Sequence, residues 1–309
     1  MTFASMKSWP RLERPALVLG LEGWVDAGYA GATAVNALLE SAKHDIVATF
    51  DSDALLDQRS RRPVLRVSNG VHAGLKWPEL RLYSATDTGG RSLLVLAGPE
   101  PDFRWREWSA EVVALALRLE VEMVVGLGAF PAPVPHTRPV RLAATASNEE
   151  LAGSIGFLPA TMEVPAGAQA VLEVAFGEAG LPAVGVWARV PHYAAGTAYP
   201  AASAALLDEL SKLTAVPIDT EALHQAGARA RDQIQALISA SEEHLAMVHQ
   251  LEMQYDAEMG MSATEFTHLP TGDELAAELE KYLRGDGREG QGGSGAGGPG
   301  PVPPGPGPL

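Results

Sequence analysis

Cysteine is missing from the 309-residue sequence, and its absence excludes a disulfide framework, thiolate zinc sites and thiol catalysis. The absence also matches a reducing compartment. No stretch approaches the roughly 18 consecutive apolar residues that a membrane-spanning helix needs. Residues 1–10 lack the charged start and apolar run of a secretory signal. We therefore expect a cytoplasmic protein.

Basic residues are scarce relative to acidic ones. The chain has 23 Lys and Arg against 38 Asp and Glu, which gives a net charge of −15 and an isoelectric point near 4.9. Such a charge argues against nucleic acid or an anionic membrane as the main partner. The acidic excess is concentrated from Glu221 onward, where 14 residues are acidic and 5 are basic. This part of the chain forms either solvated helix faces or a surface for a basic partner.

Several catalytic motifs are missing as well. The sequence has no Gly-x-x-x-x-Gly-Lys-Ser/Thr loop, no Gly-x-Gly-x-x-Gly after the first strand, no Gly-x-Ser-x-Gly elbow and no His-Glu-x-x-His zinc motif. The carboxylate pair Asp51/Asp53 is interpreted as a strand end, and the pair Glu149/Glu150 as part of a capping box, Ser147-Asn-Glu-Glu150, that begins a helix. We therefore predict no catalytic residue, no metal site and no cofactor, and whether the chain is an enzyme stays open.

The sequence does contain an alternation of strand-like and helix-like segments up to about residue 215. Continuous apolar runs, such as residues 93–96 and 123–127, are typical of central strands covered on both faces. We predict an α/β fold with a mixed, mostly parallel sheet and helices on both faces. The predicted strands are residues 16–21, 45–50, 64–67, 80–83, 92–97, 123–127, 141–144 and 183–190, and the predicted helices are residues 27–40, 104–119, 149–155, 168–180 and 201–213. Residues 51–83 are interpreted as a hairpin excursion at one edge.

Three regions are expected along the chain. Residues 1–217 form the α/β domain, residues 218–284 a helical extension, and residues 285–309 a Gly/Pro-rich tail that should be disordered. Apolar spacings of three and four over residues 220–259 predict a long amphipathic helix or a helical hairpin, packed on its own domain or in a subunit interface. A short helix is predicted to follow and to end near residue 283.

Polar and aromatic side chains follow four of the predicted strands. The candidate binding residues are Trp24 and Asp26 after the first strand, Glu100, Arg104 and Trp105 after strand 92–97, His136 and Arg138 after strand 123–127, and His192 after the last strand. Because the carboxyl ends of parallel strands meet at one edge of an open sheet, we expect these side chains to converge there.

Each candidate also has a purely structural interpretation. Asp26 can cap the helix that follows it. Glu100 and Arg104 can form an ion pair across a helix start. The two histidines can be structural hydrogen-bonding groups, and the two tryptophans can fill the core or an interface.

The same clusters, taken together, carry a resemblance to a known family. The motifs are Gly23-Trp-Val-Asp-Ala-Gly28, Phe50-Asp-Ser-Asp53, Arg61-Arg-Pro63, Glu100-Pro-Asp-Phe-Arg-Trp105, Pro135-His-Thr-Arg-Pro139, Pro191-His-Tyr193 and Leu269-Pro-Thr-Gly-Asp273. In this order they resemble the bacterial branch of the proteasome assembly chaperone family, second type, over residues 12–284. The resemblance implies a fold like that of purine nucleoside phosphorylases and related hydrolases, a helical C-terminal extension, and a homo-oligomer whose expected size is a trimer.

Two functions follow from the resemblance and the residues. Eukaryotic relatives act as binding chaperones for proteasome α subunits, which implies a binding or assembly protein with proteasome subunits as possible partners. Bacterial relatives have also been labelled as predicted ATP-dependent, ATP-grasp-like carboxylate-amine ligases. The alternative is therefore an enzyme that binds a small nucleoside- or nucleotide-like molecule, either a hydrolase or such a ligase, with its site at the carboxyl edge of the strands.

Overall fold

The computed structural model describes residues 2–86, 91–156, 161 and 163–264, with side chains described as far as residue 258. The chain divides into two compact units, Met1–Asp256 and Ala257–Leu309, and every described strand belongs to the first. The strands are β1 Ala4–Met6, β2 Ala16–Glu22, β3 Lys43–Phe50, β4 Val64–Ser68, β5 Val71–Lys76, β6 Arg81–Thr86, β7 Ser92–Pro99, β8 Met123–Ala132, β9 Leu142–Ala146 and β10 Ala183–Pro191. The helices are α1 Ala30–Ser41, α2 Ser52–Leu55, α3 Trp105–Arg118, α4 Glu149–Ile155, α5 Ala168–Glu178, α6 Pro200–Thr214, α7 Glu221–Ile238 and α8 Glu242–Thr264, with short 3-10 helices at Ala27–Tyr29 and His192–Ala194.

Eight of the described strands form one sheet in the order β1-β3-β6-β7-β2-β8-β10-β9. The four central strands, β7-β2-β8-β10, run parallel to one another. The flanking strands pair antiparallel. The predicted mixed α/β sheet is confirmed, but antiparallel pairings outnumber parallel ones, so "mostly parallel" holds only for the centre. The reason is that β6 joins β7 through a short connection, which allows only antiparallel pairing.

Helices cover both faces of this sheet, as predicted. Successive residues of β2 point to opposite faces, so Val18 packs in the layer with α1 and α6, while Leu17 and Leu19 pack in the layer with α3 and α5. Both layers are closed by apolar side chains, which explains the continuous apolar runs of the central strands.

The sheet opens at the carboxyl ends of its central strands. β2 pairs with β7 as far as Glu22–Pro99, and β8 pairs with β10 as far as Ala132–Pro191. In contrast, β2 and β8 pair only up to Leu19–Gly126. Beyond that point the parallel strands form two halves, which is the place where open α/β sheets offer a crevice.

The small residues of α1 allow a close approach to the sheet, as the sequence indicates. A Cβ atom on Gly31 would lie 2.9 Å from the carbonyl oxygen of Leu127 in β8. A Cβ atom on Gly20 of β2 would overlap a methyl group of Val35. No larger residue fits at these two contacts without moving the helix.

The predicted hairpin excursion is present as a sheet of its own, made of β4 and β5. Asn69 and Gly70 connect the strands, both with positive φ (49° and 81°), which is the backbone of a tight hairpin turn. All residues of both strands are exposed. This hairpin with its base, residues 59–76, is called the arm.

Two helices occupy the region in which a long amphipathic helix or a helical hairpin is predicted. α7 and α8 are separated by the turn at residues 239–241. Much of the apolar stripe packs on the chain itself, since Ile238, Val248, Leu251 and Tyr255 are buried. The predicted short helix that ends near residue 283 and the tail 285–309 lie outside the described residues, so the boundary at 284 stays a prediction. The boundary at 217 also stays a prediction. Within the described residues, no helix is both long and apolar enough to cross a membrane.

Candidate functional site

The four loops with candidate residues all leave the sheet at the carboxyl ends of β7, β2, β8 and β10. Since these strands are parallel neighbours, the loops lie along one edge, as expected. The two halves of the sheet divide the candidates into two groups. One group follows β2 and β7 and is called the Trp24 cluster; the other follows β8 and β10 and is called the His136 cluster.

In the Trp24 cluster, Glu100 lies at the start of α5. Its carboxylate accepts a hydrogen bond of 2.9 Å from the backbone N–H of Ala168, the first residue of that helix. A Cβ atom on Gly167 would lie 3.4 Å from this carboxylate and 3.6 Å from the Trp24 ring, so the indole borders the same point. The place where a helix N-terminus could receive an anionic ligand is therefore occupied by a carboxylate of the chain itself.

The Trp24 ring itself stays exposed. Its relative exposure is 62%, and Tyr29 and Phe103 in the adjoining loops are also exposed. Exposed aromatic side chains in the loops after these strands suit a protein-binding surface, because aromatic residues are enriched where proteins bind each other.

Asp26 caps α1. Its two carboxylate oxygens accept hydrogen bonds from the backbone N–H groups of Gly31 (2.8 Å) and Ala32 (3.0 Å). The structural interpretation of Asp26 as a helix cap is confirmed. The segment between Asp26 and Gly31 turns tightly, since Gly28 and Tyr29 both have positive φ.

The interpretation of Glu100 and Arg104 as an ion pair is wrong. Arg104 instead forms a bidentate pair with Glu107, with nitrogen–oxygen distances of 2.9 and 2.6 Å, and its guanidinium lies over the Phe3 ring. The hydrogen bonds that Arg104 donates to Glu107 raise the pKa of Arg104. Arg104 is the residue just before α3 and has a positive φ of 59°. Trp105 donates its indole N–H to the carbonyl of Pro101.

His136 is buried and connects three parts of the fold. Its backbone N–H donates to the hydroxyl of Tyr193 (2.9 Å), and its Nδ1 lies 2.8 Å from the same hydroxyl. Its Nε2 lies 3.1 Å from the side-chain oxygen of Gln235 in α7. These partners fit one arrangement, in which the tyrosine hydroxyl donates to Nδ1 and Nε2–H donates to Gln235. Burial lowers the pKa of His136, which favours this neutral form.

Arg138 is held by α8. Its guanidinium forms a bidentate pair with Asp256 (2.8 and 2.7 Å) and a 3.2 Å contact with Glu252. Thr137 also donates to Glu252, and this hydrogen bond lowers the pKa of Glu252. The His136 cluster is therefore covered by α7 and α8, whereas His192 remains exposed beside Tyr193.

One charged group in this region was not predicted. Glu173 of α5 is buried and accepts hydrogen bonds of 3.0 Å from Gln169 and from Thr145. It lies over Gly126 and Gly185, where a Cβ atom would approach its carboxylate within 2.6 and 2.5 Å. Burial raises its pKa to about 7. The signal available in the sequence was a glycine within each of two predicted strands, because such a glycine marks a place where another part of the chain approaches the strand closely.

A surface groove of about 710 Å³ lies elsewhere, between α3 and α5. It is lined mainly by small side chains such as Ala110, Ala170 and Ala175, and it contains none of the eight candidate residues. In the part of the chain that the structure describes, no three His, Asp or Glu side chains come together as metal ligands would.

Comparison with known proteins agrees with this architecture. The model of the PAC2 family matches residues 20–238. A Mycobacterium tuberculosis protein of unknown function is 37% identical, with 84% of this chain and 92% of that chain covered and a TM-score of 0.78. A proteasome-assembly chaperone homologue from the same organism is 34% identical, with 75% and 99% covered and a TM-score of 0.70.

An archaeal proteasome activator from Pyrococcus furiosus shares the fold, with 17% identity, 77% and 99% covered and a TM-score of 0.58. No curated protein matches the chain. The family model spans more than half of the sequence, in the region that contains every candidate residue. This chain belongs to the PAC2 family.

Proposed function

We propose that the protein is a cytoplasmic binding and assembly factor of the proteasome-assembly-chaperone type, which works as a homo-oligomer and binds proteasome α subunits. Family membership and the similarity to a proteasome-assembly chaperone homologue support the class of function. The trimeric state expected from the family resemblance is part of this proposal.

The observation that carries the proposal is how side chains are used at the carboxyl edge. The polar candidates bond within the chain: Asp26 caps α1, Glu100 caps α5 and Arg138 pairs with α8. The aromatic side chains of Trp24 and Phe103 remain exposed. Large rigid aromatic groups surrounded by satisfied polar groups are characteristic of protein-binding surfaces.

The test is binding of the purified protein to purified proteasome α subunits, measured by calorimetry. The double variant Trp24→Ser/Phe103→Ser should weaken binding at least about tenfold, because aromatic anchors contribute most of the energy of such interfaces. The matched control is Leu117→Ser/Val174→Ser, which removes two exposed apolar side chains from α3 and α5.

We expect the control variant to bind as the wild type does. Absence of binding by the wild type, or equal loss in both variants, would contradict the proposal. Because all four side chains are exposed, every variant should fold, and circular dichroism checks this.

A second candidate function, a small-molecule enzyme with a phosphorylase-like fold, is favoured by Glu173. A buried carboxyl whose pKa is raised to about 7 is typical of groups that transfer protons. The test is a thermal-shift screen with nucleosides, nucleotides and phosphate, since a ligand that binds only the folded state raises the unfolding temperature. A shift that Glu173→Gln abolishes would favour the enzyme over the assembly factor.

A further inference from the structure

The arm is the part of the described structure that its own chain does not cover. β4 and β5 pair only with each other. Their apolar side chains are open to solvent, with relative exposures of 66% for Val64 and 67% for Val71. A two-stranded hairpin is at best marginally stable alone in water. An arm of this composition is therefore a surface that needs a partner.

The register gives the arm two different faces. Leu65 lies opposite Leu75, so these two apolar side chains share one face, and the register shifts between Arg66 and Val67, where β5 carries one extra residue. Val64 lies opposite Lys76, and Arg66 is two positions along from Val64, so the other face carries two basic side chains beside an apolar one. A partner of the arm must offer apolar contact and negative charge together.

The charge of the arm is opposite to that of the rest of the chain. Residues 59–76 contain five basic residues and no acidic one, in a chain of net charge −15. The base of the arm is fixed to the body, because Asp102 accepts from the backbone N–H of Asp57 (2.7 Å) and lies 3.4 Å from Arg61. The positive charge is thus held on a projecting and anchored element.

A surface of complementary character is present on α7 and α8. Residues 221–258 contain seven acidic and two basic residues. Along the chain on either side of the turn between the helices, Glu242 and Glu243 are exposed, and so are Leu237, with a relative exposure of 74%, and Leu245. This surface, called the acidic turn, combines exposed apolar side chains with negative charge.

We propose that the arm of one copy docks on the acidic turn of a second copy of this chain. The inference rests on the homo-oligomer of the proposed function and assigns its contact surfaces. The contact joins two different patches, so it is heterologous and repeats from copy to copy until a ring closes. Nucleic acid and anionic membranes fit less well, because the rest of the chain carries a net charge near −20 and repels them.

The test is the mass in solution, measured by analytical ultracentrifugation of the full chain. The wild type should sediment as an oligomer, and Arg66→Glu/Lys76→Glu should sediment nearer the single-chain mass of 32.5 kDa. Leu65→Ser/Leu75→Ser should have the same effect through the apolar face. The matched charge control is Lys7→Glu/Lys43→Glu, which changes two exposed lysines outside the arm and should leave the oligomer unchanged.

Charge exchange provides the decisive part of the experiment. Glu242→Lys/Glu243→Lys alone should dissociate the oligomer, and combining it with Arg66→Glu/Lys76→Glu in one chain should restore assembly, because every arm then meets a turn of opposite charge whatever the size of the ring. A misfolded arm could not regain assembly in this way. Recovery of the oligomer would therefore show that the charge variants dissociate because the contact is lost and not because the arm is unfolded.

The possible failures are distinguishable. An oligomeric wild type that the arm variants leave intact would overturn the arm contact and leave the homo-oligomer standing. A wild type that is monomeric at about 100 μM would overturn both. A monomeric wild type that binds RNA or anionic vesicles, and loses this binding in Arg66→Glu/Lys76→Glu, would give the arm a different occupant and overturn the inference.

Discussion

The Trp24 cluster and the His136 cluster occupy the two halves of one sheet edge, yet their side chains are used differently. In the His136 cluster, two helices from the C-terminal part of the chain cover the loop and bond to His136, Thr137 and Arg138. In the Trp24 cluster, the polar groups cap helices and the aromatic rings remain exposed. A position at a strand end therefore does not by itself indicate a ligand site, because a helix that covers the strand end can use the same polar side chains as structural hydrogen-bond partners.

The largest effect on stability is expected in the His136 cluster, the half of the sheet edge that α7 and α8 cover. His136→Ala should lower the free energy of unfolding by about 2–4 kcal/mol, because a buried side chain is lost and the partly buried side chains of Tyr193 and Gln235 lose a hydrogen-bond partner. The matched control is His192→Ala, at an exposed histidine of the same cluster. This substitution should change the free energy of unfolding by less than about 0.5 kcal/mol. Urea unfolding measures both. Equal effects at the two positions would remove the distinction between the halves.

A smaller effect concerns the buried acid Glu173, which lies over β8 and β10, and it depends on pH. The pKa of Glu173 is raised from 4.5 to about 7 by burial, so its contribution to stability is fully present below pH 4.5 and is lost as the pH rises through about 7. Glu173→Gln keeps a neutral side chain at every pH. Relative to wild type, the variant should gain up to about 3 kcal/mol between pH 5 and pH 8.5, at about 1.4 kcal/mol per pKa unit.

The comparison is made by chemical unfolding at the two pH values, with Glu178→Gln, an exposed residue of the same helix, as the control. A difference between Glu173→Gln and wild type that does not change with pH would show that the carboxyl is not held neutral in the folded protein.

The smallest effect on stability is expected at Asp26, the cap of α1. Asp26→Ala should cost about 1–2 kcal/mol, since two backbone N–H groups of α1 lose their acceptor. Asp26→Asn keeps one acceptor oxygen and should recover part of the loss. Thermal unfolding measures both variants, and a full loss in Asp26→Asn would indicate that the negative charge at the helix start matters more than the hydrogen bonds.

Local patterns in the sequence predicted most of the elements. Central strands such as β2 and β7 were recognisable from apolar runs, and the start of α4 from Asn148, whose side chain caps it. The predicted capping box placed this role on Ser147, but the Ser147 hydroxyl instead accepts from the backbone of Ala183. β1 was missed because three residues at a sheet edge give no periodic signal.

The partners of the site residues could not be predicted, since they come from distant parts of the chain. Glu100 bonds to Ala168, and Arg138 bonds to Asp256, across separations of 68 and 118 residues. Sequence spacing predicted instead a local pair for Glu100, with Arg104. The convergence of the loops was predictable from the direction of the strands. The partner of each side chain depends on helices that lie further along the sequence.

Amide hydrogen exchange of the protein with and without purified proteasome α subunits tests the central claim most directly. The account predicts slower exchange on binding in the loops that carry Trp24 and Phe103, and unchanged exchange at residues 135–139, which α7 and α8 already cover. Slower exchange confined to residues 135–139, with none around Trp24 and Phe103, would contradict it.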